Sequence, residues 1–525
     1  MNHLPSFGEL YVVSDIHLGG RRHNQDNFQI FNRGKRLGNL IDHIANQRLN
    51  EDVCLVLNGD IIDSLAEEEV PGYIALNEDT ALRMMDHLFT DPSFKPVWDG
   101  LDSFVNSPRR HLVFVVGNHD IELALPIVEQ AVRQRLAHTE DAMGRILFAT
   151  HGGGFACRVA GARVFCTHGN EVDGWNSVDF GKLGELSNAI NAGRAVDPSK
   201  WKPNPGTRLV VDVMNNIKQR YPFVDLLKPE VTAVAAVLMA LDKDLFKTVD
   251  LKEAFPVLRD RIQNELVKKK LLGASDYDFS KVPTPDLAEE TAMQLLGPSF
   301  QEAVQQQRRD TLHPSEDDLL REAEHAVHNG QSAVAMAAEQ DKQETLGVWD
   351  IVTGWIGLVP KVEGLRRALK DWLEDDRTFD VDYPDDLYQE MQSRIGSQVD
   401  FLVTGHTHKP RALVLKGGGR YYYNCGTWIR TLHLTEEVVA DQNKESFEKI
   451  VWPALTAGSM AALDEPVIPG PGGKMVPLAI DRTHVVQISA QGNSVIGNLL
   501  RVTDGPSAGS VQLEPEPSTT PFKVG

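Results

Sequence analysis

Leu10-Tyr11-Val12-Val13-Ser14-Asp15-Ile16-His17 is a short apolar run that ends on a carboxylate and an imidazole two positions apart. Four apolar residues in a row suit a strand buried on both faces. Alternate residues of an extended chain point the same way, so Asp15 and His17 can reach one ligand. The pattern recurs. Val53 to Leu57 runs into Asn58-Gly59-Asp60-Ile61-Ile62-Asp63, and Leu112 to Val116 runs into Gly117-Asn118-His119-Asp120. Arg163 to Cys166 delivers Thr167-His168-Gly169-Asn170, and Phe401 to Thr404 delivers Gly405-His406-Thr407-His408. Polar residues just past strand ends are where α/β sheets place their ligands.

The donor types explain why these motifs belong together. Two neighbouring divalent metals need a bridging carboxylate, several imidazoles and a neutral oxygen. Asp60 has two oxygens and can bridge, with Gly59 before it where the backbone must turn. Asn118 offers a neutral amide oxygen, and His168, His406 and His408 add imidazoles. Mixed imidazole and carboxylate ligation favours Mn, Fe, Zn or similar ions over calcium. His151-Gly152 is a rival to His168-Gly169, but only His168 follows a clean strand.

Outward from these motifs, the first 170 residues alternate strands and helices. Leu37, Leu40, Ile41 and Ile44 have helical spacing, residues 78–106 read as helix, and Phe155–Val159 with Arg163–Cys166 read as a hairpin. From about 175 to 395 the chain changes to segments rich in Ala, Leu, Glu, Gln, Lys and Arg, at 229–248, 251–272, 284–308, 315–340 and 361–374. These predict a helical insertion. The sheet restarts at Phe401, followed by hairpins around Gly417-Gly418-Gly419 and Gln491-Gly492-Asn493. The expected fold class is α/β. Its core comes from residues 1–175 and 396–505, its insertion from 176–395, and 506–525, rich in Pro, Ser, Gly and Thr, is expected to be a mobile tail.

Of 525 residues, 74 are acidic and 53 basic, for a net charge of −21. That balance disfavours non-specific binding to nucleic acid or anionic lipid. No run of 18 apolar residues and no secretory leader is evident, so a cytoplasmic location is expected. Cys54, Cys157, Cys166 and Cys425 form no CxxC pair and read as buried thiols.

In their order and residue types the five motifs resemble the calcineurin-like metallophosphoesterases. The resemblance covers roughly 1–175 and 396–430. It implies a four-layer α/β/β/α sandwich and two divalent metals, with Mn²⁺ expected and Fe, Zn, Ni and Mg as alternatives. It implies that Asp15, His17, Asp60 and His408 hold one ion, and that Asp60, Asn118, His168 and His406 hold the other. His119 is then the unliganded histidine beside the scissile phosphate, and Asp63 orients its surroundings. The implied reaction is in-line attack on phosphorus by a metal-activated hydroxide. Tyr423-Asn424-Cys425-Gly426-Thr427-Trp428 resembles the family's closing strand and turn. Asn170 stands where a number of family members carry Asp or His. Asn170, Glu171 and Asp173 are expected to line the substrate cleft, and Asp173 reads equally well as a helix cap.

The segment between His168 and His406 is far longer than a compact metallophosphoesterase needs. The bacterial UDP-diacylglucosamine pyrophosphatases place a helical lid at this point, and the Ser-Asp-Ile-His-Leu and Gly-His-Thr-His-Lys-Pro motifs resemble theirs. That subgroup typically carries Arg where this chain has His119. Val231–Leu241 and Val348–Val359 are apolar enough to bind lipid or touch a membrane surface, but the favoured reading is helical core. The expected function is hydrolysis of a phosphodiester or pyrophosphate in a small or lipid-linked substrate. A nuclease or protein phosphatase of the same fold, and a scaffold acting through the insertion, are the alternatives.

Overall fold

The computed structural model describes residues 4–20, 28–70, 72–227, 359–373 and 377–525, together with positions 299, 302, 303 and 305. Two sheets form its centre. The chain-order strands are β1 (Ser6–Phe7), β2 (Glu9–Val13), β3 (Val53–Asn58), β4 (Arg110–Val115), β5 (Ile146–Ala149), β6 (Phe155–Val159) and β7 (Ala162–Cys166). After the insertion come β8 (Phe401–Thr404), β9 (Pro410–Val414) and β10 (Tyr421–Cys425). The last four are β11 (His484–Gln491), β12 (Ser494–Asp504), β13 (Val511–Pro515) and β14 (Phe522–Val524).

One sheet has the order β13-β12-β11-β2-β3-β4-β5, with β14 also on β12, and the strands β2 to β5 are parallel. The other has the order β1-β6-β7-β8-β10-β9. Side-chain alternation builds the layers. Leu10, Val12, Cys54, Val56, Val113 and Val115 face the second sheet's Cys157, Val164, Phe401, Val403 and Tyr423. Tyr11, Val13, Leu55, Leu57, Leu112 and Phe114 face the other way, onto helices α1 (Gly34–Ala45), α2 (Glu78–Thr90) and α3 (Lys95–Asn106). On the far side of the second sheet, Leu402 and Tyr422 pack on Leu387, Tyr388 and Met391 of helix 386–394. Helix, sheet, sheet, helix is the α/β sandwich expected. Each fully buried Val, Leu or Phe contributes about 1.5–3 kcal/mol.

Three features depart from expectation. Residues 78–106 form two helices rather than one, because Pro92 has no N–H and Asp91 takes the Ser93 N–H instead. The stretch 146–149 adds a parallel edge strand that was not foreseen. The expected mobile tail carries two strands. Val511 and Leu513 pack onto the core, and Glu516, only 1 % exposed, pairs with Arg482 and with His484 Nε2 at 2.8 Å. A Pro- and Ser-rich composition did not outweigh that short alternating run and its buried ion pair.

The insertion is anchored twice. Val178, Leu183, Leu186 and Trp201 join the first core, where helix Phe180–Asn191 packs on helix Pro126–Leu136. Leu209, Ile217, Phe223, Leu226, Leu365 and Leu369 share a separate core with Ile429, Val438, Phe447 and Leu455, from a segment after β10. Of the expected helical stretches, 361–374 corresponds to helix Lys361–Leu373. The stretches 229–248, 251–272 and 315–340, most of 284–308, and the apolar segments 231–241 and 348–358 lie outside the described residues.

Candidate functional site

Parallel strands bring their C-terminal ends to one edge of the sandwich. Asp15 and His17 follow β2, Asp60 follows β3, Asn118 and His119 follow β4, His168 follows β7, and His406 and His408 follow β8. Possible metal-donor atoms of Asp15, His17, Asp60 and His408 all lie within 4.8 Å of one another, and so do those of Asp60, His168 and His406. Asp60 belongs to both groups. His17, Asp63 and His119 make a third. All the expected ligands except His406 are buried, with Asp15 and His168 at 0 % exposure.

The donors face one another as ligands of a shared cation do. His17 Nε2 and His408 Nε2 are 3.2 Å apart, and His408 Nε2 is 3.2 Å from Asp15 Oδ1. His168 Nε2 lies 3.1 Å from Asp60 Oδ2. Donors bound at about 2.0–2.2 Å sit about 3–4 Å from each other. Asn118 Oδ1 is buried with no hydrogen-bond donor, an omission that a cation would repair. The residues therefore fit divalent ions.

Acceptor-only neighbours fix which ring nitrogen carries the lone pair. His168 Nδ1 is 2.9 Å from the Asn58 carbonyl, so Nδ1 holds the proton and Nε2 is the donor to a metal. His119 Nδ1 is 3.0 Å from Asp63 Oδ1, which leaves Nε2 as the ring's chemically active nitrogen. The His119 ring meets His17 edge-on, with centroids 4.8 Å apart.

The electrostatics are those of a cation hole. Burial opposes charge on His168, but the Asp60 and Asp15 carboxylates raise its imidazole to about 10. Burial, then the nearby His119, push His17 down to about 3. Burial disfavours ionised Asp63, yet the hydrogen bond from His119 and the adjacent imidazoles hold its carboxyl well below the usual range. A field that raises one imidazole so far also attracts a divalent ion.

The backbone is bent to make this geometry. Among the described residues nine non-glycine positions have positive φ, and five of them are Asp15, His17, Asp60, His406 and His408, at 52–71°. Such conformations cost about 1–3 kcal/mol each and gather at functional sites. Hydrogen bonds hold them. The Ile16 and His17 N–H groups donate to the Asp60 carbonyl, His406 N–H donates to Asp15 at 3.1 Å, and His119 N–H donates to Asp60 Oδ1 at 2.9 Å. Gly59 has φ +85°, and a Cβ there would lie 2.3 Å from the His168 ring.

Four supporting residues, all inside the quoted motifs, were given no role of their own in the sequence. Asp120, 1 % exposed, accepts the N–H groups of Ile61 at 2.7 Å and Gly117 at 2.6 Å, clamping two ligand loops together. Burial and then Asp60 push its carboxyl up to about 7. Asn58 donates to the Thr167 carbonyl while its own carbonyl holds His168. Asn424 donates to the Gly405 carbonyl at 2.7 Å, and Thr427 Oγ1 donates to the Asp15 carbonyl at 2.9 Å, so the 423–428 turn does pack beside the site.

The residues expected at the substrate cleft make hydrogen bonds within the site's own loops. Glu171 accepts from Thr167 Oγ1 at 2.6 Å and from Gly169 N–H at 2.8 Å, so it braces the His168 loop. Asn170 is 0 % exposed and donates to the Asn176 carbonyl. Asp173 meets His406 Nε2 at 3.0 Å, and the following helix at Phe180–Asn191 is capped by Asp179 instead. Asn170 is buried in the turn at 169–176, while Glu171 and Asp173 stay partly exposed beside the site. His151 is exposed and stands apart from the site.

The family model described as calcineurin-like phosphoesterase matches residues 9–228, which include Asp15, His17, Asp60, Asn118, His119 and His168. No curated protein matches the chain. His406 and His408 lie beyond the matched span, and β8 returns them to it by pairing with β7. The chain thus carries a calcineurin-like phosphoesterase domain with a buried Asp/His cluster for divalent metal, and it is a hydrolase acting on phosphoester bonds.

Proposed function

We propose that this hydrolase holds two divalent ions of the first transition series, Mn²⁺ the expected one, and cleaves a phosphodiester or pyrophosphate in a small or lipid-linked substrate. One observation carries the reading. Two donor groups share Asp60, while His119 stands beside them with its proton state set by Asp63. Asp15, His17, Asp60 and His408 would hold one ion, and Asp60, Asn118, His168 and His406 the other. Bound ions of this kind supply Lewis acidity toward phosphoryl oxygens and make a water nucleophilic near neutral pH.

The protein's own groups then divide the remaining work. Asp63 keeps the His119 ring in one tautomer and one orientation. With its ring protonated on both nitrogens, His119 holds Asp63 through Nδ1–H and can hydrogen-bond the leaving oxygen through Nε2–H, giving up that proton as the oxygen's bond to phosphorus breaks. Asp120 keeps the Asp60 and Asn118 loops in register without touching substrate. The insertion closes the Asp63 side. Asn215 donates to the Leu65 carbonyl at 2.9 Å, and Tyr73 donates to Asp212 at 3.0 Å. These contacts put insertion residues beside the chain that follows Asp63, which supports a selective role for that segment. No helix of the described residues is long and apolar enough to cross a membrane. A lipid-linked substrate would have to be met at a surface.

The test is a substrate panel assayed with Mn²⁺: bis-p-nitrophenyl phosphate, p-nitrophenyl phosphate, nucleoside diphosphate sugars and single-stranded DNA. Faster turnover of the diester or the nucleotide sugars supports the reading. A preference for the monoester or for DNA rejects it. His119→Ala is expected to keep both ions and lose about 10²–10⁴-fold in kcat. Loss of the ions instead would make His119 a ligand and remove its assigned role.

A further inference from the structure

Asp173 sits where the chain leaves the core for the insertion, 233 positions from the histidine it touches. Its Oδ2 is 3.0 Å from His406 Nε2. The same oxygen accepts from Asn176 Nδ2 at 2.7 Å, and Oδ1 accepts from the Trp175 N–H at 2.9 Å. Both carboxylate oxygens are thus engaged, which suits a group that orients a ligand rather than one that binds metal itself. A carboxylate only accepts, so His406 Nε2 carries the ring proton and Nδ1 carries the lone pair. That leaves Nδ1 for the group formed with Asp60 and His168.

The partners of Asp173 lead into the insertion. Asn176 is in turn held by Asn170, whose Nδ2 donates to the Asn176 carbonyl at 3.0 Å. The Gly206 N–H donates to the Trp175 carbonyl at 2.9 Å. A Cβ at Gly206 would come 2.0 Å from Asn176 Oδ1. A side chain at position 206 would push the Asn176 amide from its place against Asp173. Gly206 opens the insertion helix Pro205–Arg208, which runs on into the segment packed against Leu65. A chain of direct contacts therefore joins the insertion to the ring of one metal ligand, His406.

We propose that Asp173 is a positioning residue for the metal site formed by Asp60, Asn118, His168 and His406, and that Asn176 and Gly206 couple that site to the insertion. The proposal rests on the two-metal reading above. Outer partners of ligating histidines set tautomer and ring angle, and their loss weakens metal binding about 10–100-fold. The coupling is selective. The other site draws on Asp15, His17 and His408; Asp15 accepts the backbone N–H of His406 at 3.1 Å, a main-chain bond that the ring contact of Asp173 does not involve.

The experiment is calorimetric titration of chelator-stripped protein with Mn²⁺ alone, together with apo thermal unfolding. Wild type should bind two ions. Asp173→Ala should weaken one site about 10–100-fold and leave the other unchanged, with little change in apo Tm. Asp173→Asn keeps an oxygen acceptor and should recover part of the loss. Gly206→Ala, outside the metal-binding residues, should weaken the same site. Two unchanged sites in Asp173→Ala overturn the proposal. So does equal weakening of both sites with a fall in apo Tm, which would make Asp173 merely structural. Wild type binding fewer than two ions would instead fail the two-metal reading itself.

Discussion

A buried carboxylate or imidazole held at positive φ is unfavourable twice, once for its backbone and once for its desolvation. Asp15, His17, Asp60 and His408 carry both penalties, and the half-buried His406 carries the first. The apo protein bears this strain so that the ions need not impose the geometry themselves. Substitution at such a position should separate stability from function. His17 has φ 54° and its Nε2 faces another imidazole at 3.2 Å. Asn tolerates that backbone better than His does. His17→Asn is therefore expected to leave apo stability unchanged or raise it by about 1 kcal/mol, while Mn²⁺ binding at the Asp15 site falls. Denaturant unfolding of the apo protein checks this. A loss beyond about 2 kcal/mol would mean that His17 supports the fold by packing. At this scale the sequence was most informative, because ligand chemistry demands particular residue types just after strands. What it could not convey was direction. Asn170, Glu171 and Asp173 are polar and near the site, yet each is turned toward backbone or ligand by hydrogen bonds that no spacing encodes.

Elements were legible where periodicity was strong and illegible where a single residue or a distant partner decided. Val53–Leu57 could only be a buried strand, and α1 follows its apolar spacing. Pro92 divided a predicted helix, and the last strands depended on partners that sequence spacing does not reveal. Helix Lys361–Leu373 shows how an insertion element is tied down. Arg366, 1 % exposed, donates from Nε and Nη2 to Glu363 at 3.0 and 2.8 Å and reaches Asp441 at 2.8 Å. Burial opposes ionisation of Glu363, but Arg366 and Arg367 lower its carboxyl to about 2 from an ordinary 4.5. A depressed carboxyl stabilises the fold above its unfolded pKa and ceases to do so as pH falls through its folded one. Glu363→Gln should therefore lower Tm at pH 7, where Arg366 loses its buried partner. The gap from wild type should narrow as pH falls from about 4.5 toward 2. A gap that stays constant over that range would show that the Glu363 charge contributes nothing.

Across the whole molecule, the sandwich is interrupted rather than followed by its accessory part. The interruption was readable from the order of the motifs, since His406 and His408 come long after His168. Its boundaries were not. Val178 to Trp201 belong with the first core, and residues 209–227 and 365–373 share a second core with residues 429–478. Removing the insertion from 180 to 390 would therefore strip both cores. Replacing 228–358 with a short flexible linker spares them. That variant is expected to keep Mn²⁺ binding and bis-p-nitrophenyl phosphate hydrolysis within about tenfold, while losing discrimination among larger substrates. A variant that binds two ions yet cleaves no diester would place a catalytic group inside the removed segment.

The pairing of β7 with β8 joins Val164–Cys166 to Phe401–Val403, and β2 closes on β11 through Glu9 and Ser489. During synthesis the first strands leave the ribosome long before their neighbours exist. At roughly 5–20 residues per second, about 12–50 seconds separate His168 from His406. Through that interval the nascent chain has Asp15, His17, Asp60 and His168 but no complete donor group for either ion. On the two-metal reading, a half-made chain would thereby be kept from acting as a hydrolase, and metal loading would be a late event in its folding.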